Sequence, residues 1–389
     1  MRRSDFGLLL GTRVVRAFGF GFSTVLFAVH LQARHLSATE IGIFLAIGLL
    51  AASWAGLLAA AAASKFGRRN TLAATGLLMA LCGFDLSFAV QPFLLSLAGL
   101  TGMMGIAGTD LGPFLAVEQA VLTQTSDGRG RNRAFAQYSV TGAVAGAAGG
   151  FASAFGTTLA RTQLFFGLFG VLGLATAAIP LLLSPAVEGP PNERTFGSLR
   201  PLAGLLTLFF LDALGGGLVV NGVTAYWLHV KFGASPAVLG PSFAVMSLLT
   251  AVSQGFAGRL ADRIGLINTM VYTHLPSSLL LILVPFMPGL YWAVGILIVR
   301  SSIASMDVPA RQAYLVSIVK PNERSGAIAV SGAVRGMAAA AGPVITGAAI
   351  QAAALGLPFV LGGVIKSLYD LGLYIGFRRR FGDHENILR

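Results

Sequence analysis

"GRLADRIG", residues 258–265, stands between two long apolar runs, and "AAASKFG", residues 61–67, does the same in the first part of the chain. Gly265 and Gly67 permit a tight reversal between two helices. Asp262 of one copy is replaced by Ser64 in the other. A polar hinge built twice implies a chain built twice, and the apolar runs around it decide the kind of chain.

Of 389 residues, 55% are hydrophobic and 11% charged, with a mean hydropathy of +0.77, which excludes a soluble globular surface. The apolar segments are each about 20 to 25 residues, enough to cross a hydrocarbon core of roughly 30 Å as a helix. Twelve are predicted, at about 7–30, 40–62, 71–92, 94–117, 134–157, 163–183, 203–228, 236–257, 267–287, 290–311, 326–349 and 354–377. The alternating pattern of a membrane barrel is absent, so backbone polar groups must be satisfied within helices. The first segment carries Arg13 and Arg16 and is followed at once by a second, which reads as a span and not a cleaved leader. The expected fold is an all-α polytopic membrane protein.

A net charge of +12 would suggest nucleic acid in a soluble protein, so its distribution matters. Most of the 27 lysines and arginines fall in the loops on one side, while the loops on the other side hold Arg34, Arg161 and Lys231. This asymmetry predicts that both termini lie in the cytoplasm and that nucleic acid is no partner. Cys82, the single cysteine, excludes an internal disulfide and reads as a small packing residue.

The stretch "SPAVEGPPNERTFGSLRP", residues 184–201, reads as a cytoplasmic linker dividing the spans six and six. "TGAVAG" at 141–146 recurs as "SGAVRG" at 331–336, "VEQAVL" at 117–122 echoes "ARQAYL" at 310–315, and "RAFGFGF" at 16–22 echoes "DALGGGL" at 212–218. Four echoes in matching order, the hinge included, predict two pseudo-symmetric six-helix bundles, 1–183 and 202–389.

These residues carry a resemblance. "GRLADRIG" resembles the loop signature G-x-L-A-D-R-x-G-R-R-x of the major facilitator superfamily, which joins the second and third helices of each half. The first copy, "AAAASKFGRRN" at 60–70, matches its tail at Lys65, Gly67, Arg68 and Arg69 but lacks its first glycine and its acid. "DVPARQAYLVSIVKPNERSG" at 307–326 is similar to the exit of the tenth span in many prokaryotic members. The resemblance covers nearly the whole chain and implies a secondary transporter of the cell (inner) membrane.

The hinge has a physical reading of its own. Its arginines, Arg263 among them, suit an anionic headgroup layer. Asp262 can accept hydrogen bonds at the N-terminus of a neighbouring helix, where negative charge is favoured. Glu323 and Arg324 in the loop "KPNERS" are its expected partners, forming a gating clasp with Gly258, Asp262, Arg263 and Gly265. The first hinge, with Gly67 and Arg68, lacks the acid, and its loop "SDGRGRNR" at 126–133 lacks the Glu-Arg pair, which predicts an asymmetric gate. The plainer alternative is a reverse turn anchored by basic residues.

Ionisable groups inside the hydrocarbon cost a few kcal/mol each and mark function by default. The resemblance implies that the first, fourth, seventh and tenth helices line the central cavity, and these carry Arg16, Asp110, Asp212, Arg300 and Asp307. Arg16 and Asp212 occupy the same position of the repeat, so pseudo-symmetry would set opposite charges face to face. Asp212 is then the leading proton site, and Arg16 the group that its protonation releases; a fixed structural pair is the alternative. Asp110 and Asp307 stand beside "GPF" at 112–114 and "VPA" at 308–310, where proline frees backbone carbonyls for a cation or proton; anchoring a helix bend is the equal alternative. Arg300, seven residues before Asp307, can share its helix face and contact an anionic substrate. Lys366 and Asp370, spaced i, i+4 in the last span, read as a neutralising pair on a peripheral helix. Arg335 replaces Ala145 of the other half and can line the cavity's edge, while His30, His229 and His274 are scattered without metal-ligand spacing. Ala147 and Thr101 stand where the resemblance would place a drug antiporter's proline and arginine.

No phosphate loop, nucleophile constellation or metal cluster is present in the sequence, so an enzyme, a cofactor or an ATP-driven pump has no support. The expectation is a monomeric transporter in membrane lipid, moving a small organic molecule by alternating access and exporting it with the proton gradient as energy source. Uptake or exchange of an organic anion held by Arg16 and Arg300 stays open beside it, as does a lipid flippase or sensor.

Overall fold

A computed structural model describes residues 3–106, 113–125, 128–188, 202–320 and 323–385. Every regular element among them is helical: α1 (Arg3–Ala33), α2 (Ala38–Phe66), α3 (Arg68–Phe88), α4 (Pro92–Leu100), α5 (Pro113–Thr125), α6 (Gly128–Ala152) and α7 (Leu159–Ala178) precede the linker. After it come α8 (Ala203–Gly217), α9 (Asn221–Phe232), α10 (Pro236–Ile264), α11 (Leu266–Leu283), α12 (Leu290–Ser301), α13 (Asp307–Ser317), α14 (Arg324–Gln351) and α15 (Leu357–Glu385). The chain is an integral, multi-pass membrane protein.

Nine stretches among the described residues are long and apolar enough to cross a membrane, against the twelve expected. The difference has local causes. The predicted span 134–157 falls in α6, whose glycines together with Gln137, Tyr138 and Ser139 dilute its hydropathy. The predicted spans 94–117 and 290–311 are each interrupted, giving α4 and α5 in one case and α12 and α13 in the other. Gly102 and Gly105 turn the chain after α4 with φ of +69° and +67°, angles that side chains rarely adopt. Pro309 sits in the first turn of α13, where a missing N–H costs no helical bond. A third interruption, after the glycine run Gly215–Gly217, separates α8 from α9 within one long apolar stretch. Irregular backbone at membrane depth is tolerated where protein or a water-filled cavity surrounds it, and broken helices of this kind build binding sites.

Helices from before and after the linker meet along three seams. The α2–α14 seam is tight because Gly42 and Gly347 leave no Cβ between the helices; one added at Gly42 would stand 2.3 Å from the Pro343 carbonyl oxygen. It is closed at its end by the Ala38 amide, which donates to Gln351 Oε1 at 3.2 Å. The α6–α10 seam is alike, since a Cβ on Gly240 would stand 2.5 Å from the Gly150 carbonyl oxygen. In the third, the Gly222 amide donates to the Ile106 carbonyl at 3.0 Å. The first two lie toward the end where α2 and α10 begin and α6 and α14 finish, and the third lies deeper, where Ile106 also packs on Gly48 of α2. Small residues allow helices to approach this closely, and van der Waals contact then holds them without any hydrophobic drive from lipid.

Candidate functional site

Two buried charge sites stand out. The first is built on α1, α5 and α6. Arg16 is fully buried and grips Glu118 with both arms, Nη1 to Oε1 at 3.0 Å and Nη2 to Oε2 at 2.8 Å. Thr12 donates to Oε1 at 3.1 Å, and the Tyr138 hydroxyl donates to Oε2 while accepting from Arg16 Nη2 at 3.0 Å. The Phe114 ring covers the guanidinium, with its centroid 4.3 Å away. A fork-to-fork pair satisfied in this way is geometrically specific and has no free valence.

The second site is centred on Asp212 of α8, which is 2% exposed. Lys366 Nζ of α15 donates to Oδ1 at 2.7 Å, and Arg335 Nη1 of α14 donates to Oδ2 at 2.7 Å. Arg311 Nη1 of α13 reaches Oδ2 at 3.3 Å and Asp307 Oδ2, one turn earlier on its own helix, at 2.6 Å. His274 Nε2 of α11 lies 3.4 Å from Asp212 Oδ1, while its Nδ1 bonds Asp370 of α15 at 2.9 Å. Arg300 of α12 is close enough to Asp212 and Asp307 to feel both charges, yet its buried Nε has no hydrogen-bond partner among the described residues. Arg335, with a side chain 26% exposed, is where the cluster meets the outside.

These positions revise the expected pairings. Arg16 pairs with Glu118 and not with Asp212, because each charge finds a partner on a helix of its own side of the linker. Lys366 and Asp370 do not neutralise each other on a peripheral helix. The face of α15 that carries both is packed against α8 and α11, so Lys366 reaches Asp212 and Asp370 reaches His274. Arg300 and Asp307 do not share a helix face, since the chain turns between α12 and α13, and Asp307 is taken by Arg311. His274 is no scattered histidine but the bridge between two carboxylates. Asp110 lies outside the described residues.

Sequence reasoning missed Glu118, Arg311 and His274, although two of them lay in the quoted echo. "VEQAVL" and "ARQAYL" set Glu118 against Arg311, as "RAFGFGF" and "DALGGGL" set Arg16 against Asp212. The repeat therefore holds one ion pair twice, with its polarity reversed.

The hinges are alike in backbone and unlike in partners. Gly67 and Gly265 both take a φ of +86°, and in both the following Thr, Thr71 or Thr269, donates to the glycine carbonyl at 2.8 Å. The Ser64 hydroxyl only bonds Ala61 of its own helix. The missing acid arrives instead from the start of the linker: Glu188 accepts from the amides of Arg68 at 2.6 Å and Arg69 at 3.1 Å, capping the N-terminus of α3. Arg68 closes the contact by donating to the Val187 carbonyl at 3.0 Å. At the second hinge Asp262, Arg263 and Gly258 are exposed, and Arg324 donates to the Val316 carbonyl at 3.1 Å, so the expected clasp with Asp262 is not formed. Glu323 caps the first turn of α14 through its backbone carbonyl, which accepts from Ala327.

The family model for the Major Facilitator Superfamily matches residues 9–212 and again 205–384. The uncharacterized membrane protein YJR124C of Saccharomyces cerevisiae is 25% identical, over 94% of this chain and 92% of its own length. In fold, the chain is similar to the nucleoside transporter NupG, with a TM-score of 0.73 at 14% identity over 96% of this chain and 99% of that one. It is equally similar to a bacterial homolog of the human lysosomal transporter Spinster in an inward-facing and occupied conformation, with a TM-score of 0.73 at 15% identity over 96% and 95%.

Proposed function

The chain belongs to the Major Facilitator Superfamily, a secondary transporter and not an enzyme, and on that premise we propose that it exports a small organic solute in exchange for protons. The scaffold is twelve spans in two six-helix halves, 1–183 and 202–389, joined by the linker 184–201 and rocking about a site at mid-depth. It works as a monomer in the cell (inner) membrane with both termini in the cytoplasm, the orientation that the distribution of arginines favours. In that orientation the three seams close the outer face, and the cavity opens inward.

The observation that carries this reading is Asp212, a buried carboxylate held by cations from three helices and a histidine from a fourth, beside two broken helices. An ionisable cluster of that size in a membrane interior is expensive and marks a path for ions or substrate. In proteoliposomes with an imposed pH gradient and an entrapped pH dye, solutes of a metabolite panel that move protons identify the substrate class. Proton movement at the wild-type rate in Asp212→Asn would remove the cluster from the mechanism.

A second reading, uptake or exchange of an organic anion, is favoured by Arg300, whose buried Nε has no hydrogen-bond partner among the described residues. Lys366, Arg300, Arg311 and Arg335 outnumber Asp212, Asp307 and Asp370, so the cluster has room for one more negative group. Arg16 drops out of this reading, because Glu118 already fills it. Thermal stabilisation by carboxylates that is lost in Arg300→Ala would support it.

A further inference from the structure

In the transport reading His274 is one of the groups around Asp212, with no step of its own. Its Nδ1 faces both oxygens of Asp370, at 2.9 and 3.0 Å. An ionised carboxylate only accepts, so Nδ1 bears the ring hydrogen. Nε2 faces two groups of opposite demand, the Lys366 ammonium at 3.3 Å and Asp212 Oδ1 at 3.4 Å. With a single ring proton, Nε2 accepts from Lys366. With two, it must donate, which suits Asp212 and repels Lys366.

Ionisable groups surround the ring. α15 presents Lys366, Asp370 and the Tyr369 ring, edge-on with its centroid 5.7 Å away, and α8 presents Asp212. α13 brings Asp307 and Arg311, α14 brings Arg335 and α12 brings Arg300, all through Asp212 or Asp307. The charges of α10, Arg259, Asp262 and Arg263, stand at the exposed hinge. Lys366 also lies along the glycine run that ends α8: a Cβ on Gly215 would stand 3.0 Å from its Cγ, and one on Gly216 3.5 Å from its Nζ. Immediately beyond this run the chain breaks into α9, whose Gly222 makes the seam with Ile106.

We propose that His274 is the proton-binding site of this transporter and that proton binding exchanges Lys366 for the imidazolium on Asp212. The proton comes from water entering beside Arg335, an N–H bond forms at Nε2, and the Nδ1–H stays on Asp370. Lys366, released from its acceptor, shifts along Gly215 and Gly216 and moves the α8–α9 break, which carries the change to the seam. This rests on the proton-coupled reading above and names the group that titrates.

The chain has five histidines, so ¹⁵N imidazole spectra of purified protein in nanodiscs are tractable, with His274→Gln identifying the resonance. One proton, on Nδ1, is expected at the basic end of a titration across roughly pH 5 to 8 and two at the acidic end. A ring proton on Nε2 at the basic end, or a ring unchanged throughout, overturns the proposal. The change is read separately at the neighbouring α2–α14 seam, since Ile106 also packs on Gly48 of α2, by alkylation of Ser53→Cys of α2, which lies against Gly336 of α14, the native Cys82 being buried. Its rate, divided by that of free cysteine at the same pH because the thiolate is the reacting species, should change several-fold across the same range, and not in His274→Gln or in Lys366→Met, a second variant should the first fail to fold. Persistence of the change in either overturns the proposal while leaving proton coupling intact. A titrating His274 with a pH-independent seam in the wild type establishes the site and sinks the coupled reading.

Discussion

Arg16 with Glu118 and Asp212 with Arg311 are one ion pair met twice, with the signs exchanged, and their surroundings differ in one respect. Around Glu118 each donor has its place and the pair is sealed beneath the Phe114 ring. Around Asp212 the carboxylate is oversubscribed: Lys366, Arg311, Arg335 and His274 share two oxygens. A satisfied pair has one low-energy arrangement and serves as a pin. An oversubscribed one has several of similar energy, and a group that changes partners can be switched by a proton or a substrate. The hinges repeat the lesson at the surface, where Glu188 ties the first while Asp262 of the second is exposed and, among the described residues, bonded to no side chain.

The contrast breaks most visibly at its centre. Asp212→Asn leaves Lys366, Arg311 and Arg335 facing one another, and is expected to abolish proton-linked transport and to cost about 3–5 kcal/mol of stability, the range for an orphaned buried charge. Reconstituted flux and unfolding in detergent check the two effects. Glu118→Gln strands Arg16 and is expected to cost about 3 kcal/mol, of which Arg16→Met with Glu118→Met recovers most, since apolar groups replace a buried pair at little net cost. A double variant that unfolds as readily as the single one would show that the pair does more than pin helices. Glu188→Ala removes a cap from α3 and should cost about 1 kcal/mol. Asp262→Asn, at an exposed position, should stay within about 0.5 kcal/mol in this conformation. A larger loss from Asp262→Asn than from Glu188→Ala would reverse the order of the two hinges.

Much of this was legible in the sequence, for reasons that can be named. The glycines at 67 and 265 announced their turns because few other residues take φ near +86°. The echoes of the repeat contained the reversed pair, since residues at matching positions of a duplication inherit matching neighbours. The misreadings share a cause as well. Spacing i, i+4 makes Lys366 and Asp370 neighbours on one helix, but Lys366 bonds the Asp212 carboxylate of α8 and Asp370 bonds the His274 ring of α11 instead. Seven-residue spacing joined Arg300 to Asp307 only on the assumption of an unbroken helix, and the turn at 302–306 removes it.

Hydropathy and charge distribution, both additive along the chain, determined by themselves that this protein is a helical membrane protein and where its repeat lies. The choice of partner for each buried charge was decided by tertiary structure alone. In a low-dielectric interior that choice depends on distances of a few ångström between side chains on different helices, and no spacing along one helix encodes them.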